Sequence, residues 1–125
     1  MEIKILVVED DKTLLEMLEY NLDRQGYQVV KTENGRAALE VFDRERERIS
    51  CVILDMTMPR MDGEACLAEL RQRDGEVPVL LSSGYDEGEL REQFAGKSPD
   101  GYVQKPYTLA KLKEQIGLVL IESSD

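Results

Sequence analysis

Residues 51–63, CVILDMTMPRMDG, decide how the rest of the chain is read. Four consecutive apolar residues, Cys51 to Leu54, stop abruptly at Asp55, and Pro59 with the pair Asp62-Gly63 marks a turn. An unbroken apolar run of this kind predicts a strand buried on both faces, as in a parallel sheet. An acid at the exit of such a strand lies at the carboxyl edge of the sheet, where open α/β folds bind ligands.

The same grammar recurs along the chain. Residues 3–8 (IKILVV) form a strand that runs into Glu9, Asp10 and Asp11. Asp11 is placed to cap a helix whose apolar stripe is Leu14, Leu15, Leu18 and Leu22, and Gly26 ends it. Residues 27–30 (YQVV) alternate more, which suits a strand nearer a sheet edge. Asn34-Gly35 opens a second helix carrying Ala38, Leu39 and Phe42, which fades into the charge run 43–48 (DRERER), expected to be a solvated helix end. After the Asp55 strand a third helix runs from about Gly63 through Leu67 and Leu70 to the breaker Asp74-Gly75. Residues 77–81 (VPVLL) make a fourth strand ending in Ser82-Ser83-Gly84, and a weak fourth helix is predicted over 87–94. Residues 101–104 (GYVQ) make a fifth strand ending in Lys105-Pro106, and Leu109, Leu112, Ile116, Val119 and Leu120 mark the fifth and last helix. Strand and helix alternate five times, so the fold class is α/β, a parallel sheet covered by helices on both faces.

Composition narrows the chemistry. A chain of 125 residues with 42% hydrophobic content is expected to be one domain around one core, with no output domain attached. The net charge of -10, from 26 acids against 16 bases, disfavours direct nucleic-acid binding. No apolar run approaches a membrane span and the N-terminus lacks a signal-peptide layout, so no membrane insertion is expected and the cytoplasm is the default location. There is no histidine, which rules out a Ser-His-Asp triad and any histidine metal ligand. Cys51 and Cys66 stand alone, too few for a structural zinc site, and are expected to be small buried hydrophobes.

Four of the five strands end in a charged or reactive group: Glu9 and Asp10, Asp55, Ser83, and Lys105. Should these strands be neighbours, the groups meet in one pocket. Carboxylates packed together repel unless a cation intervenes, and oxygen-only ligands favour magnesium, which commonly binds one or two carboxylates plus a phosphate oxygen. A lysine suits a phosphoryl oxygen as a point charge, and a serine hydroxyl adds a hydrogen bond. Together they make a site for phosphoryl transfer onto a carboxylate.

With ILVVEDD (5–11), VILDMTMPRMDG (52–63), PVLLSSG (78–84) and GYVQKPY (101–107) in this order, the chain resembles the receiver domain of two-component response regulators over essentially its whole length. The resemblance implies a flavodoxin-like (βα)5 fold with strand order 2-1-3-4-5. It also implies that Asp55 is the phosphoacceptor for a phosphohistidine on a histidine kinase or histidine phosphotransfer domain. Asp10 would be a direct magnesium ligand, Glu9 would act largely through water, and the backbone carbonyl of Thr57 would complete the protein's share of the metal shell. Ser83 would hydrogen-bond the phosphoryl group and Lys105 would pair with it. Tyr102 would be the aromatic switch, turning inward as Ser83 moves, and Lys105-Pro106 would be a cis peptide. Phosphorylation would then bias the face built by the fourth helix, fifth strand and fifth helix, with a phosphorylation-dependent dimer as one outcome. Ser83 stands where threonine is commoner and Gly84 where alanine is usual; the hydroxyl survives. The wording DMTMPRMDGE, LLSSGY, FAGK and GYVQKPY is most similar to receivers attached to hybrid sensor histidine kinases. On that resemblance the domain is not itself an enzyme, since kinase activity would belong to a separate or upstream domain.

The rival readings are few. A dehalogenase-type phosphatase needs a second acid two residues after its nucleophile, and Thr57 occupies that position. A nucleotide-binding fold needs a glycine-rich loop after the first strand, and EDDKT has none. A degenerate receiver, acting as a phosphorylation-independent docking module, would lack one of the pocket groups, yet all are present. Tyr102 as plain core filling is the rival for the switch role. Asp62 and Asp100 read as cap or turn residues, and Tyr85 and Tyr107 as exposed loop aromatics rather than parts of a docking surface.

Overall fold

The computed structural model describes residues 3–56, 63–84, 88, 89, 92 and 99–123. Five strands, β1 (Lys4–Val8), β2 (Gln28–Thr32), β3 (Cys51–Asp55), β4 (Val79–Ser83) and β5 (Gly101–Gln104), form one parallel sheet in the order β2-β1-β3-β4-β5. Helices α1 (Lys12–Arg24), α2 (Gly35–Glu45) and α3 (Gly63–Arg73) lie between the strands, and a last helix, Leu109–Ser123, follows β5. The expected fold class and strand order are thus present. The predicted helix over 87–94 falls largely outside the described residues, as do Thr57, Asp62 and Tyr85.

The unbroken apolar runs have a simple cause, since both faces of the sheet are covered. Leu6 and Val8 of β1 and Val52 and Leu54 of β3 face Ala38, Leu39 and Phe42 of α2 and Cys66, Leu67 and Leu70 of α3. The alternate residues Ile5, Val7, Cys51 and Ile53 face Leu15, Leu18 and Leu22 of α1 and Leu112, Ile116 and Val119 of the last helix. Period-two strand geometry thus divides one sequence run between two cores. β2 is an edge strand as expected: Val29 and Val30 are half-buried, and Gln28 and Lys31 are exposed.

Local signals act where the residue types predict. The Asp11 carboxylate accepts from the main-chain N–H groups of Thr13 (3.0 Å) and Leu14 (3.2 Å), capping α1. Asn34 caps α2 by accepting from Ala37 N at 2.9 Å. Gly26 follows α1 with φ of 91°, a left-handed turn that glycine enters without strain. The charge run 43–48 begins in the last turn of α2 and closes in a single 3-10 turn, Arg46–Arg48. It is not wholly solvated: Glu45 is half-buried and paired with Lys4 of β1. Both cysteines are buried, and burial pushes each thiol up to about 12.

At the amino edge of the sheet, Asp100 does more than turn the chain. Its Oδ2 accepts from Val79 N and from Arg71 Nη2, both at 2.8 Å, while Asp100 N donates to Val79 O at 2.8 Å. Arg71 Nη1 donates to Val77 O at 2.7 Å, so one ion pair ties α3 to the starts of β4 and β5.

Candidate functional site

Parallel pairing puts the strand ends side by side, and with them the groups the sequence singled out. β1 pairs with β3 from Ile5 opposite Cys51 to Val8 opposite Leu54, so Glu9 and Asp10 leave the sheet beside Asp55. Asp55 is opposite Ser82 on β4, and Ser83 is opposite Gln104 on β5, the residue before Lys105. Glu9, Asp10 and Asp55 each bring a carboxylate oxygen to within 4.8 Å of the others. Glu9 is 2% exposed and Asp55 3%, whereas Asp10 opens to solvent. The structure therefore brings together Glu9, Asp10, Asp55 and Lys105 and sets Ser83, buried, at the adjoining strand end. Tyr102 lies in β5 with its ring inward, buried in the α2–α3 core.

Lys105 crosses to the acids. Its Nζ is 2.8 Å from Glu9 Oε1 and 3.2 Å from Asp55 Oδ1. Burial works to lower the ammonium's pKa, but the hydrogen bond to Glu9 and the charges of Asp55 and Glu9 outweigh it, and the net shift is upward. The other Glu9 oxygen, Oε2, accepts from Asp11 N at 3.1 Å, which fixes the carboxylate from both sides. The Lys105 main chain is held as well: its N–H donates to Ser83 O at 2.6 Å, and the Lys105-Pro106 bond is cis as expected.

The backbone around Asp55 is equally constrained. Met56 N donates to Ser82 O at 2.9 Å, carrying the β3–β4 ladder one step past the strand. Gly63 N donates to Met56 O at 2.8 Å, and a Cβ at Gly63 would lie 2.5 Å from Met56 Cα and 2.8 Å from Asp55 O. Only glycine permits that approach, which explains the Asp62-Gly63 signal. Thr32, at the end of β2, is buried and donates from Oγ1 to Val7 O at 2.9 Å, while Thr32 O accepts from Glu9 N at 3.0 Å. It anchors the strand end that carries Glu9.

Tyr107, expected to be an exposed loop aromatic, does lie in a loop but is not exposed. The residue is half-buried, its ring packs against the α1 side of the core, and its Oη is buried without a hydrogen-bond partner among the described residues. Burial, then the charges of Glu9 and Asp55, push the phenol's pKa up. The available signal was its place immediately after Lys105-Pro106.

The acidic cluster suits a hard cation. Its donors are all oxygens, and three acids facing one lysine leave a formal excess of negative charge that a divalent ion would neutralise.

A sequence profile of the response regulator receiver domain matches residues 5–117. The chain belongs to this family. Its relatives include the alkaline phosphatase synthesis transcriptional regulatory protein PhoP of Bacillus subtilis, 31% identical over 98% of this chain and 50% of that protein. The probable transcriptional regulator ycf27 of Pyropia yezoensis is 37% identical over 94% of this chain and 47% of its own length. The receiver domain thus spans about half the length of the curated relatives it matches. Among solved structures, a receiver domain protein from Clostridium thermocellum superposes with a TM-score of 0.90 at 24% identity, covering 98% of this chain and 97% of that one. The chemotaxis protein CheY4 of Vibrio cholerae superposes at 0.89 and 24% identity, covering 96% of this chain and all of that one. These two likenesses bear on the fold, which they share. No described helix of this receiver domain is long and apolar enough to cross a membrane.

Proposed function

We propose that this receiver domain accepts a phosphoryl group on Asp55 from the phosphohistidine of a histidine kinase or histidine phosphotransfer domain, in a magnesium-dependent reaction. The observation that carries the proposal is Lys105 Nζ, held 3.2 Å from Asp55 Oδ1 inside a cluster of three carboxylates at the sheet's carboxyl edge. An Asp55 oxygen attacks phosphorus, the P–N bond to the imidazole breaks, and the ring departs with the bonding pair. Lys105 pairs with a phosphoryl oxygen, and Ser83, at the end of the neighbouring strand, donates its hydroxyl to another. Hydrolysis of the acyl phosphate later restores the carboxylate.

Glu9, Asp10 and Asp55 would hold the magnesium ion, with the Thr57 carbonyl, outside the described residues, completing the set. When bound, the ion neutralises charge on the acids and the incoming phosphoryl oxygens. The domain assists its own phosphorylation and dephosphorylation but is no enzyme toward other substrates; kinase activity belongs to another domain or protein. Ser83 and Tyr102 transmit the change to the face that includes β5 and the last helix, where a phosphorylation-dependent dimer could form. The domain works in the cytoplasm and, at net charge -10, neither touches nucleic acid directly nor inserts in a membrane. A hybrid sensor kinase as parent is tested by whether the gene continues upstream of Met1 into kinase sequence.

The test is intact mass after incubation with magnesium and a small acyl phosphate donor. One added phosphoryl group that requires magnesium and is lost in Asp55→Asn is the expected result. An adduct that persists in Asp55→Asn overturns the assignment.

A further inference from the structure

The buried carboxylate of Glu9 accepts from two donors of different kinds. Lys105 Nζ lies 2.8 Å from Oε1 but is shared with Asp55 Oδ1, 3.2 Å away, whereas the Asp11 main-chain N–H donates to Oε2 alone, at 3.1 Å. A main-chain donor is aimed only as well as its backbone is held. The Asp11 backbone is held by its own side chain: Oδ1 accepts from Thr13 N at 3.0 Å and from Leu14 N at 3.2 Å, with φ at -79° and ψ at 107°. Asp11 O also accepts from Leu15 N at 2.9 Å, and Leu15, Leu18 and Leu22 seat α1 in the core. One residue therefore joins a packed helix to a buried member of the acidic cluster.

The Asp11 side chain has two ways to act on that cluster. As a further acid it would add negative charge; as a cap it would aim the N–H. Its carboxylate is turned to the helix N–H groups and the residue is exposed, so solvent screens the charge. The capping geometry has no such discount. A carboxylate offers about four acceptor sites, so the bond at Oε2 does not compete with a cation at Glu9, and it does not depend on where Lys105 points. We propose that Asp11 is a positioning residue for the magnesium site: its side-chain cap holds the main-chain N–H that orients Glu9 within the acidic cluster. This inference rests on the reading of Glu9, Asp10 and Asp55 as that site.

The test compares Asp11→Ala and Asp11→Asn with the wild type in two ways. Titration calorimetry with magnesium chloride gives the affinity, and hydrogen exchange in metal-free protein gives the protection of the residue-11 amide. Asparagine caps a helix as well as aspartate does but carries no charge. Asp11→Ala is expected to bind magnesium about tenfold more weakly, the usual cost of losing a group that orients a metal ligand, and to lose the amide's protection. Asp11→Asn should keep that protection and bind within about threefold of the wild type, having lost only a screened charge. Equal weakening in both variants makes the charge the cause and overturns the inference, as does an amide that stays fully protected in Asp11→Ala. Asn34→Ala strips the matching cap from α2, where Asn34 Oδ1 accepts from Ala37 N at 2.9 Å, and controls for general loosening. It should keep wild-type affinity; a loss equal to that of Asp11→Ala overturns the inference. A wild type that binds no magnesium overturns the underlying reading and the inference with it, an outcome distinct from the others, in all of which the wild type binds.

Discussion

Gly63→Ala adds one methyl group at the most crowded point beside Asp55. The new Cβ would lie 2.5 Å from Met56 Cα, 2.8 Å from Asp55 O and 3.0 Å from Met56 O. Carbon atoms pack at roughly 3.5–4.0 Å, so the first contact is about 1 Å too short. All three neighbours are main-chain atoms of the site strand or the residue after it, so no side-chain rotation relieves the clash. Either Gly63 retreats and its bond to Met56 O is lost, or Met56 and Asp55 shift by a comparable distance. Overpacking costs about 1–3 kcal/mol and the lost hydrogen bond about 1 more, giving roughly 2–4 kcal/mol. With a urea m-value of about 2 kcal/mol/M, the midpoint should fall by about 1–2 M. Displacing a reacting group by about 1 Å costs on the order of a hundredfold in rate, so phosphorylation in magnesium should slow far more than the folded fraction does. Urea titration and time-resolved intact mass on the same preparation measure both. A variant as stable as the wild type and equally fast would show that this close approach constrains nothing.

Asp100→Ala removes the acceptor shared by Val79 N and Arg71, at the sheet edge opposite the site. It should cost about 1–3 kcal/mol in urea while leaving the phosphorylation rate of the folded protein unchanged; a rate change would reveal coupling across the sheet. Gly117→Ala, in the last helix with nothing within 4 Å of the added Cβ, should stabilise by up to about 1 kcal/mol, and a lowered urea midpoint would contradict this. The raised pKa of Lys105 means that its contribution to stability is complete below the unfolded lysine value of about 10.4 and is lost as pH rises through the higher folded value. The urea midpoint difference between wild type and Lys105→Met should therefore hold steady up to about pH 10 and shrink above it; a difference that widens with pH would refute the pairing.

The residues that carried the fold in the sequence were those answering to one periodicity or one local motif. Buried parallel strands leave continuous apolar runs, and caps such as Asp11 and Asn34 bond within three residues of themselves. The candidate site was partly legible for the same reason: a parallel sheet puts its strand exits on one edge, so Glu9, Asp10, Asp55, Ser83 and Lys105 could be placed on that edge, while the strand order that makes them neighbours came from the family resemblance. Contacts between residues far apart in sequence were not legible. Nothing near Asp100 announces Val79 or Arg71, nothing in the charge run singles out Glu45 as the partner of Lys4, and Thr32 looks idle until Val7 O is beside it. Tyr107 was missed because loop aromatics ordinarily face solvent; its burial follows from the path the chain takes after Lys105-Pro106, which no pattern in the sequence encodes.

The split of the site between the two halves of the chain has a consequence for synthesis. The three acids are complete once Asp55 has emerged, and β2, β1 and β3 are already neighbours in the sheet. The lysine that faces them follows the last strand. A nascent chain thus carries the acidic cluster before Lys105, the lysine that pairs with Glu9 and Asp55, has been made, while β4 and β5 are still being synthesised. Arrival of Lys105 adds the final strand's pairing and neutralises part of that repulsion in the same event, so docking of the last strand and helix should be the cooperative step of folding on the ribosome.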